Sequence, residues 1–387
     1  MDFDLSEEQQ LLKDSVDRMT ASRYGELKTR NELMKSPKGY GEALWKEFAE
    51  LGLLAIPFDE GHGGMGQGAV ETMLVAEAFG RALVLEPYFP TVILAGSALR
   101  LGASDAMKTK VIPSIVDGSL TLAFAHQEAQ ARFDLANVTT TAKADGKGGY
   151  VLEGAKCVVL GGDSAGKLVV SARISGDPAS KDGLALFLVD ADAAGVTRRG
   201  YPIQDGTRAA DITLSGVKVG ADAVIGEPGK AFPIIERTIQ NGIAYLAAEA
   251  VGAMNALHDL TVEYLKTRKQ FGVAIGSFQV LQHRSVDMFV SVEQARSMAY
   301  YACVMIDEPD AVERRRAMHA VKVQVSKSAR HVGQEAIQLH GGIAMTMEYK
   351  GGHYFKRLTT IDLMFGGADH HLRELAKAGG LLAAAAA

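Results

Sequence analysis

The chain has 387 residues, of which 47% are hydrophobic and 22% charged, enough for two or three packed layers or domains with an ample core. Its formal charge of −5 and the absence of any basic run longer than Arg314-Arg315-Arg316, which sits in a helical pattern, argue against nucleic acid as a partner. Two cysteines, Cys157 and Cys303, are too few for a disulfide framework and lack metal-ligand spacing.

The start, Met1-Asp-Phe-Asp-Leu-Ser-Glu-Glu8, is acidic and has no basic leader, and no apolar run reaches transmembrane length, so the expectation is a cytoplasmic protein without a membrane partner. Residues 6–117 read mostly as helix. Ser6 and Gln9 have capping-box spacing, in which each side chain satisfies the other residue's free N–H, and Leu12, Val16 and Met19 follow at helical intervals. A glycine-rich turn at 57–68 interrupts this pattern.

From Leu120 to about Ile225 short β-branched runs alternate with turn residues: Val138-Thr-Thr-Thr141, Tyr150-Val-Leu152, Lys156-Cys-Val-Val-Leu160, Leu168-Val-Val170, Leu184-Ala-Leu-Phe-Leu-Val189 and Ile212-Thr-Leu214. Their spacing predicts a β-barrel or sandwich, with Asp145-Gly-Lys-Gly-Gly149 as a hairpin turn. After Gly229 amphipathic helices are predicted over 231–265, 279–306, 311–340 and 369–378, lengths that suit an antiparallel four-helix bundle. The domain limits are 1–118, 119–228 and 229–387. The Ala-rich end, Leu381–Ala387, is low-complexity and reads as a frayed helix.

Two peptides carry the functional signal. Arg268-Lys-Gln-Phe-Gly272 places a guanidinium and a glycine beside a helix end, where a pyrophosphate can be gripped by parallel hydrogen bonds and Phe271 offers an apolar shelf. Gln338-Leu-His-Gly-Gly342 ends another helix like a Schellman stop, and its glycines let backbone amides approach a ligand. Each peptide alone also admits a plain helix C-cap reading, which weighs as much as the binding reading for the Gln338 peptide and less for the Arg268 peptide.

Taken together with Gln279, in Ser277-Phe-Gln-Val-Leu-Gln282, the order and spacing of these peptides resemble the C-terminal half of the acyl-CoA dehydrogenase family. The helix–β–helix plan, the Gly63-Gly-Met-Gly66 turn and the Ala221-Asp-Ala-Val-Ile-Gly226 exit from the β-segment extend the resemblance over nearly the whole chain. It implies an all-α N-terminal domain, a β-barrel or sandwich middle domain and a helical-bundle C-terminal domain. It also implies FAD, an acyl-CoA substrate whose α-proton goes to a carboxylate and whose β-hydrogen goes to the flavin, and an electron-transfer flavoprotein as oxidant. In the family's dimer the ADP end of each FAD is held by the neighbouring chain. That role falls here on Arg268, Gln270, Phe271, Gly272, Gln279, Gln338, Leu339, Gly341 and Gly342.

The family's ring end is altered. Its Thr-Glu-Pro-Gly-Ala-Gly-Ser-Asp peptide aligns with Gln127–Asp134, where only Glu128, Ala131 and Asp134 match, and bulky Arg132 and Phe133 stand where small residues are usual. Arg132 and Phe133 are expected to fill the vacated space. Its Trp-Ile-Thr-Asn-Gly peptide aligns with Val158-Val-Leu-Gly-Gly162, so Leu160 replaces a hydroxyl donor. Its glutamate base falls on Gly366 in Phe365-Gly-Gly-Ala368, and the alternative base and its arginine fall on Gly242 and Ile243. Glycine cannot take a proton, which leaves Glu249 as a distant substitute, and Asp369 and Glu374 as first-turn helix charges.

Loss at one end with retention at the other resembles the non-catalytic subunits of heteromeric bacterial members, such as the small subunit of pimeloyl-CoA dehydrogenase. The expected partner is then an intact catalytic subunit in an α2β2 assembly. The alternatives are an active homo-oligomer with an unusual base, and a flavin-free acyl-CoA-binding or scaffolding protein. The adjacent pair His370-His371 reads as solvated or packed rather than as a metal site, because neighbours on a helix point about 100° apart.

Overall fold

The computed structural model describes residues 4–379, and the Ala-rich end read as a frayed helix lies outside them. Helix α1 (Glu7–Tyr24) opens on the expected capping box: Ser6 Oγ accepts from the Gln9 N–H, and Gln9 Oε1 accepts from the Ser6 N–H. Helices α2 (Leu27–Leu33) and α3 (Glu42–Glu50) lead to the glycine-rich turn. Gly64 is required there by close approach, since a Cβ would lie 2.0 Å from the Phe58 carbonyl oxygen. Helices α4 (Ala69–Ala82), α5 (Gly96–Gly102) and α6 (Asp105–Val116) complete the segment.

Eight strands follow: β1 (Leu122–Ala125), β2 (Thr141–Ala144), β3 (Tyr150–Leu160), β4 (Lys167–Arg173), β5 (Leu184–Asp190), β6 (Val196–Pro202), β7 (Arg208–Val219) and β8 (Val224–Ile225). They form one sheet in the order β6-β7-β3-β2-β4-β5-β8, with β1 parallel to β4. Leu152, Val170, Phe187, Ile212 and Leu214 fill its interior. Edge strand β6 carries Arg198 and Arg199, ion-paired to Asp192 and Asp211, and this charge discourages pairing with a further strand.

Two details differ from the sequence expectation. The runs at Tyr150 and Lys156 are one strand, bent by irregularities at Gly154 and between Lys156 and Val159, and Val138–Thr140 precedes β2 without belonging to it. Gly154, at a φ of +149° that suits only glycine, keeps the strand continuous where Thr140 crowds it.

The C-terminal part comprises α7 (Phe232–Thr267), the short strands β9 (Lys269–Gln270) and β10 (Val273–Ala274), α8 (Gln279–Met305), α9 (Ala311–His340), α10 (Lys350–Leu363) and α11 (Ala368–Lys377). Helix α10 was not foreseen; Gly351 and Gly352 in its first turn disguise its start. Helices α4 and α7 cross at glycine contacts. A Cβ at Gly80 would lie 1.9 Å from the Glu249 carbonyl oxygen, and one at Gly252 would lie 1.8 Å from that of Glu77.

Packing divides the chain into two compact units that cut across the three sequence segments. One comprises the described parts of 1–32, 69–84 and 243–387, and the other comprises 33–68 and 85–242. Among the described residues no helix is long and apolar enough to cross a membrane.

Candidate functional site

Arg268 follows the last turn of α7, its N–H donating to the Tyr264 carbonyl at 2.8 Å. The chain then reverses through a two-residue hairpin in which Gln270 faces Val273 and the tip is Phe271-Gly272. Both tip residues have positive φ, 54° and 82°, as a type I′ turn demands. For glycine this conformation is easy; for phenylalanine it costs about 1 kcal/mol. The strained Phe271 ring is also 90% exposed, touching Phe278 edge-on at 6.1 Å. Arg268, Gln270 and Gln279 are exposed as well.

The second peptide lies beside the first. Gln338, Gly341 and Gly342 are exposed, whereas Leu339 and His340 are buried, and the His340 ring packs 4.7 Å from Tyr264, one helical turn before Arg268. The helix stop is not the expected Schellman arrangement. Gly341 has φ +67° and ψ −148°, its N–H donates to the Ile337 carbonyl, and a 3₁₀ turn follows over Gly341–Met345. A Cβ at Gly272, Gly341 or Gly342 would meet nothing within 4 Å, so the backbone of both peptides is open to approach.

Helix α8 begins at Gln279 and is apolar on two sides. Met288, Val292, Ala295, Ala299 and Ala302 are buried, while Val286, Phe289, Val290, Tyr301 and Val304 form an exposed stripe at helical spacing. The exposed set is interrupted by Glu293, Gln294 and Ser297, and Arg284, Asp287 and Ser291 make another side of the helix polar.

In the β-domain the loop 127–134 is held by a buried ion pair. Lys156 Nζ lies 2.6 Å from Glu128 Oε1 and also donates to Ser171 Oγ at 3.0 Å. Glu128 Oε2 further accepts from the Thr139 N–H and hydroxyl at 2.8 and 2.6 Å. Burial works against the Glu128 carboxylate, but Lys156 and the threonine donors outweigh it and hold its pKa far below the usual range. Burial draws the Lys156 ammonium down to about 8 against the pull of Glu128. Asp134 caps the Ala136 N–H at 3.0 Å, and Ala131 is buried. Arg132 and Phe133, expected to fill the vacated space, are exposed, with Arg132 at φ +51°. At the strand irregularity Val158 has φ +51° and its N–H donates to Asp211, whose carboxylate also receives Tyr201 and Arg199.

The positions considered for a base are equally clear. Gly366 has φ +105°, and a Cβ there would lie 2.5 Å from the His370 ring, so the backbone is shaped for glycine. Glu249 is buried with both oxygens engaged by Arg357, at 2.6 and 2.8 Å, a bidentate pair. Gly242 lies within α7 and contributes no side chain. Asp369 occupies the first turn of α11, and Glu374 pairs with Lys377 at 2.7 Å. His371 Nε2 donates to the Phe365 carbonyl at 3.1 Å, so its Nδ1 is free to accept from His319 Nδ1 at 2.7 Å. Beside them the buried Lys322 ammonium caps the last turn of α10, donating to the Ile361 and Asp362 carbonyls.

Sequence profiles for the acyl-CoA dehydrogenase N-terminal, middle and C-terminal domains match residues 6–119, 123–217 and 229–380. The chain is 31% identical over 349 residues to acyl-CoA dehydrogenase FadE12 of Mycobacterium tuberculosis, covering 89% of this chain and 88% of that one. The chain belongs to the acyl-CoA dehydrogenase family.

Among solved structures it is similar to a variant of the Tcur3481-Tcur3483 steroid ACAD, with TM-score 0.86, 28% identity and coverage of 96% and 97% of the two chains. It is also similar to an FAD complex of PigA, with TM-score 0.88, 27% identity and coverage of 97% and 98%. The acyl-CoA dehydrogenase fold foreseen from the sequence is therefore the fold observed. Within it, the nine residues singled out for the ADP end lie on the α7–β9–β10–α8 turn and the α9 end. Sequence reading missed the aromatic contact that joins those two places. Its signal was available in Tyr264, which stands four residues before Arg268 on the same helix.

Proposed function

We propose that this acyl-CoA dehydrogenase family member is the non-catalytic subunit of a heteromeric FAD-dependent acyl-CoA dehydrogenase and that it holds the ADP end of a cofactor whose ring belongs to a catalytic partner. The observation that carries this reading is the contrast between two places. Around Arg268 and Gln338, polar side chains, open glycine backbone and an exposed ring are gathered beside an uncovered apolar helix face. At position 366 itself the residue is glycine, which has no proton-accepting side chain, and its φ of +105° disfavours any other residue.

The residues present fit an ADP group. Arg268 would pair with the pyrophosphate, Gln338 and the amides around Gly341 and Gly342 would take the remaining polar atoms, and Phe271 would give the adenosine an apolar surface, with Gln270, Gln279, Gly272 and Leu339 shaping the approach. FAD would supply hydride acceptance from the β-carbon of an acyl-CoA thioester, in the partner's active site. The exposed stripe of α8 supports a protein partner, and a structure named for two different chains is among those this chain resembles. An α2β2 assembly, re-oxidised by an electron-transfer flavoprotein, and domain limits at 118/119 and 228/229 belong to the same reading. Glu249, tied to Arg357, speaks against the active homo-oligomer.

Co-expression with the product of an adjacent reading frame, followed by flavin quantitation, tests the proposal. One FAD per pair of unlike chains is expected. Two FAD per pair, or turnover by this chain alone, would overturn it.

A further inference from the structure

His340 lies inside the ADP-holding peptides without facing the place a ligand would occupy. It is 4% exposed, with its ring 4.7 Å from Tyr264 and 5.0 Å from Tyr349. Nδ1 is 2.8 Å from the Ala336 carbonyl, which can only accept, so Nδ1 carries the proton and Nε2 presents a lone pair. Nε2 is buried and, among the described residues, meets no partner at hydrogen-bonding geometry, although the Leu260 backbone on α7 lies close enough to the ring to favour its protonation. A polar atom left in this way costs about 1–3 kcal/mol, which phenylalanine at the same position would avoid. Packing alone therefore does not account for a histidine here.

The ring does connect the two peptides. The hydrogen bond to Ala336 fixes its orientation in the last turn of α9, the ring fixes the face of Tyr264, and the Tyr264 carbonyl receives the Arg268 N–H at 2.8 Å. Tyr349, the N-cap residue of α10, closes the other side. Burial and the nearby Tyr264 push the Tyr349 phenol up to about 12, so Tyr349 stays uncharged.

We infer that His340 is a positioning residue that sets Arg268 relative to the Gln338–Gly342 loop, an inference that rests on the ADP-holding role proposed above. Neither the hydrogen bond nor the ring suffices alone. Asparagine at 340 retains a donor at the Nδ1 position without the ring, phenylalanine retains the ring without the donor, and alanine retains neither.

The test uses the complex purified with its partner subunit and reads ADP and FAD affinity by titration, melting midpoint, and hydrogen exchange over residues 264–272. His340→Phe is expected to melt at or above wild type, because it removes the orphaned Nε2, yet to bind ADP and FAD about tenfold more weakly, a loss of about 1.4 kcal/mol. Exchange over 264–272 should rise with it. His340→Asn should recover part of the affinity lost in His340→Ala.

A histidine that only packs would make affinity follow stability, so wild-type ADP affinity in His340→Phe overturns the inference even if His340→Ala fails to fold. A wild-type complex that binds neither ADP nor FAD would remove the functional reading and this inference together. Normal wild-type binding with unchanged affinity in His340→Phe removes this inference alone.

Discussion

Arg268 and Phe271 are the two residues whose local chemistry is hardest to explain by structure alone. No hydrogen bond or ion pair of this chain engages the Arg268 side chain among the described residues, and Phe271 combines a left-handed conformation with an exposed ring. Arg268→Ala should weaken FAD retention in the assembled complex by roughly 10–100-fold, the range for a lost charge-assisted pair, as read by flavin release on dilution. Phe271→Asn should act in opposite directions on two measurements. Asparagine tolerates positive φ, so unfolding free energy should rise by up to about 1 kcal/mol while flavin retention falls. Much of this was legible in the sequence, because a glycine at a hairpin tip and an arginine at a helix end are local signals. Glu128, Ala131 and Asp134 were less legible. Their match to the family's flavin-edge peptide reflects an ion pair with Lys156, a buried methyl and a loop cap. Their retention therefore implies nothing about a bound ring.

Among the elements, α7 and α8 carry the most information. The α4–α7 crossing depends on Gly80 and Gly252, where each helix meets the other's backbone. Gly252→Ala should cost about 3 kcal/mol or more, seen as a lower urea midpoint, even though alanine is the better helix former by about 1 kcal/mol. The helix pattern itself was readable: 311–340 was expected and Ala311–His340 is observed. Helix α10 escaped because two glycines open it and its buried face, with His353, Tyr354, Arg357 and Leu358, is half polar. Arg357 is there to meet Glu249, and Tyr354 donates its hydroxyl proton to the Arg81 carbonyl, so the polarity of that face is satisfied only within the bundle.

At the scale of the whole molecule, buried histidines set a pH dependence. Burial holds the His126 imidazole down at about 3, aided by Lys156 and opposed by Glu128. Burial, then His319, Lys322 and His370, holds His371 well below its ordinary value. Both are neutral in the fold and would take up a proton near pH 6.5 if unfolded. Their contribution is thus complete above about pH 6.5 and lost as the pH falls toward the folded values, at up to about 1.4 kcal/mol per pH unit for each group. Lys322, drawn down by burial to about 7, adds the same sign at higher pH, with stability rising from about pH 7 toward 10. The melting midpoint should therefore be higher at pH 8 than at pH 5, and His371→Gln should flatten the acid limb.

Sequence by itself determined the helix–β–helix order, the N-terminal capping box and the glycine turns, and marked the Arg268 and Gln338 peptides at helix ends, because periodicity and φ requirements act between near neighbours along the chain. Tertiary structure alone decided that Glu249 is spent on Arg357, 108 residues away, that Arg132 and Phe133 face outward, and that Tyr264 meets His340. Those outcomes depend on how distant helices and loops pack against one another, a relation that no local pattern encodes.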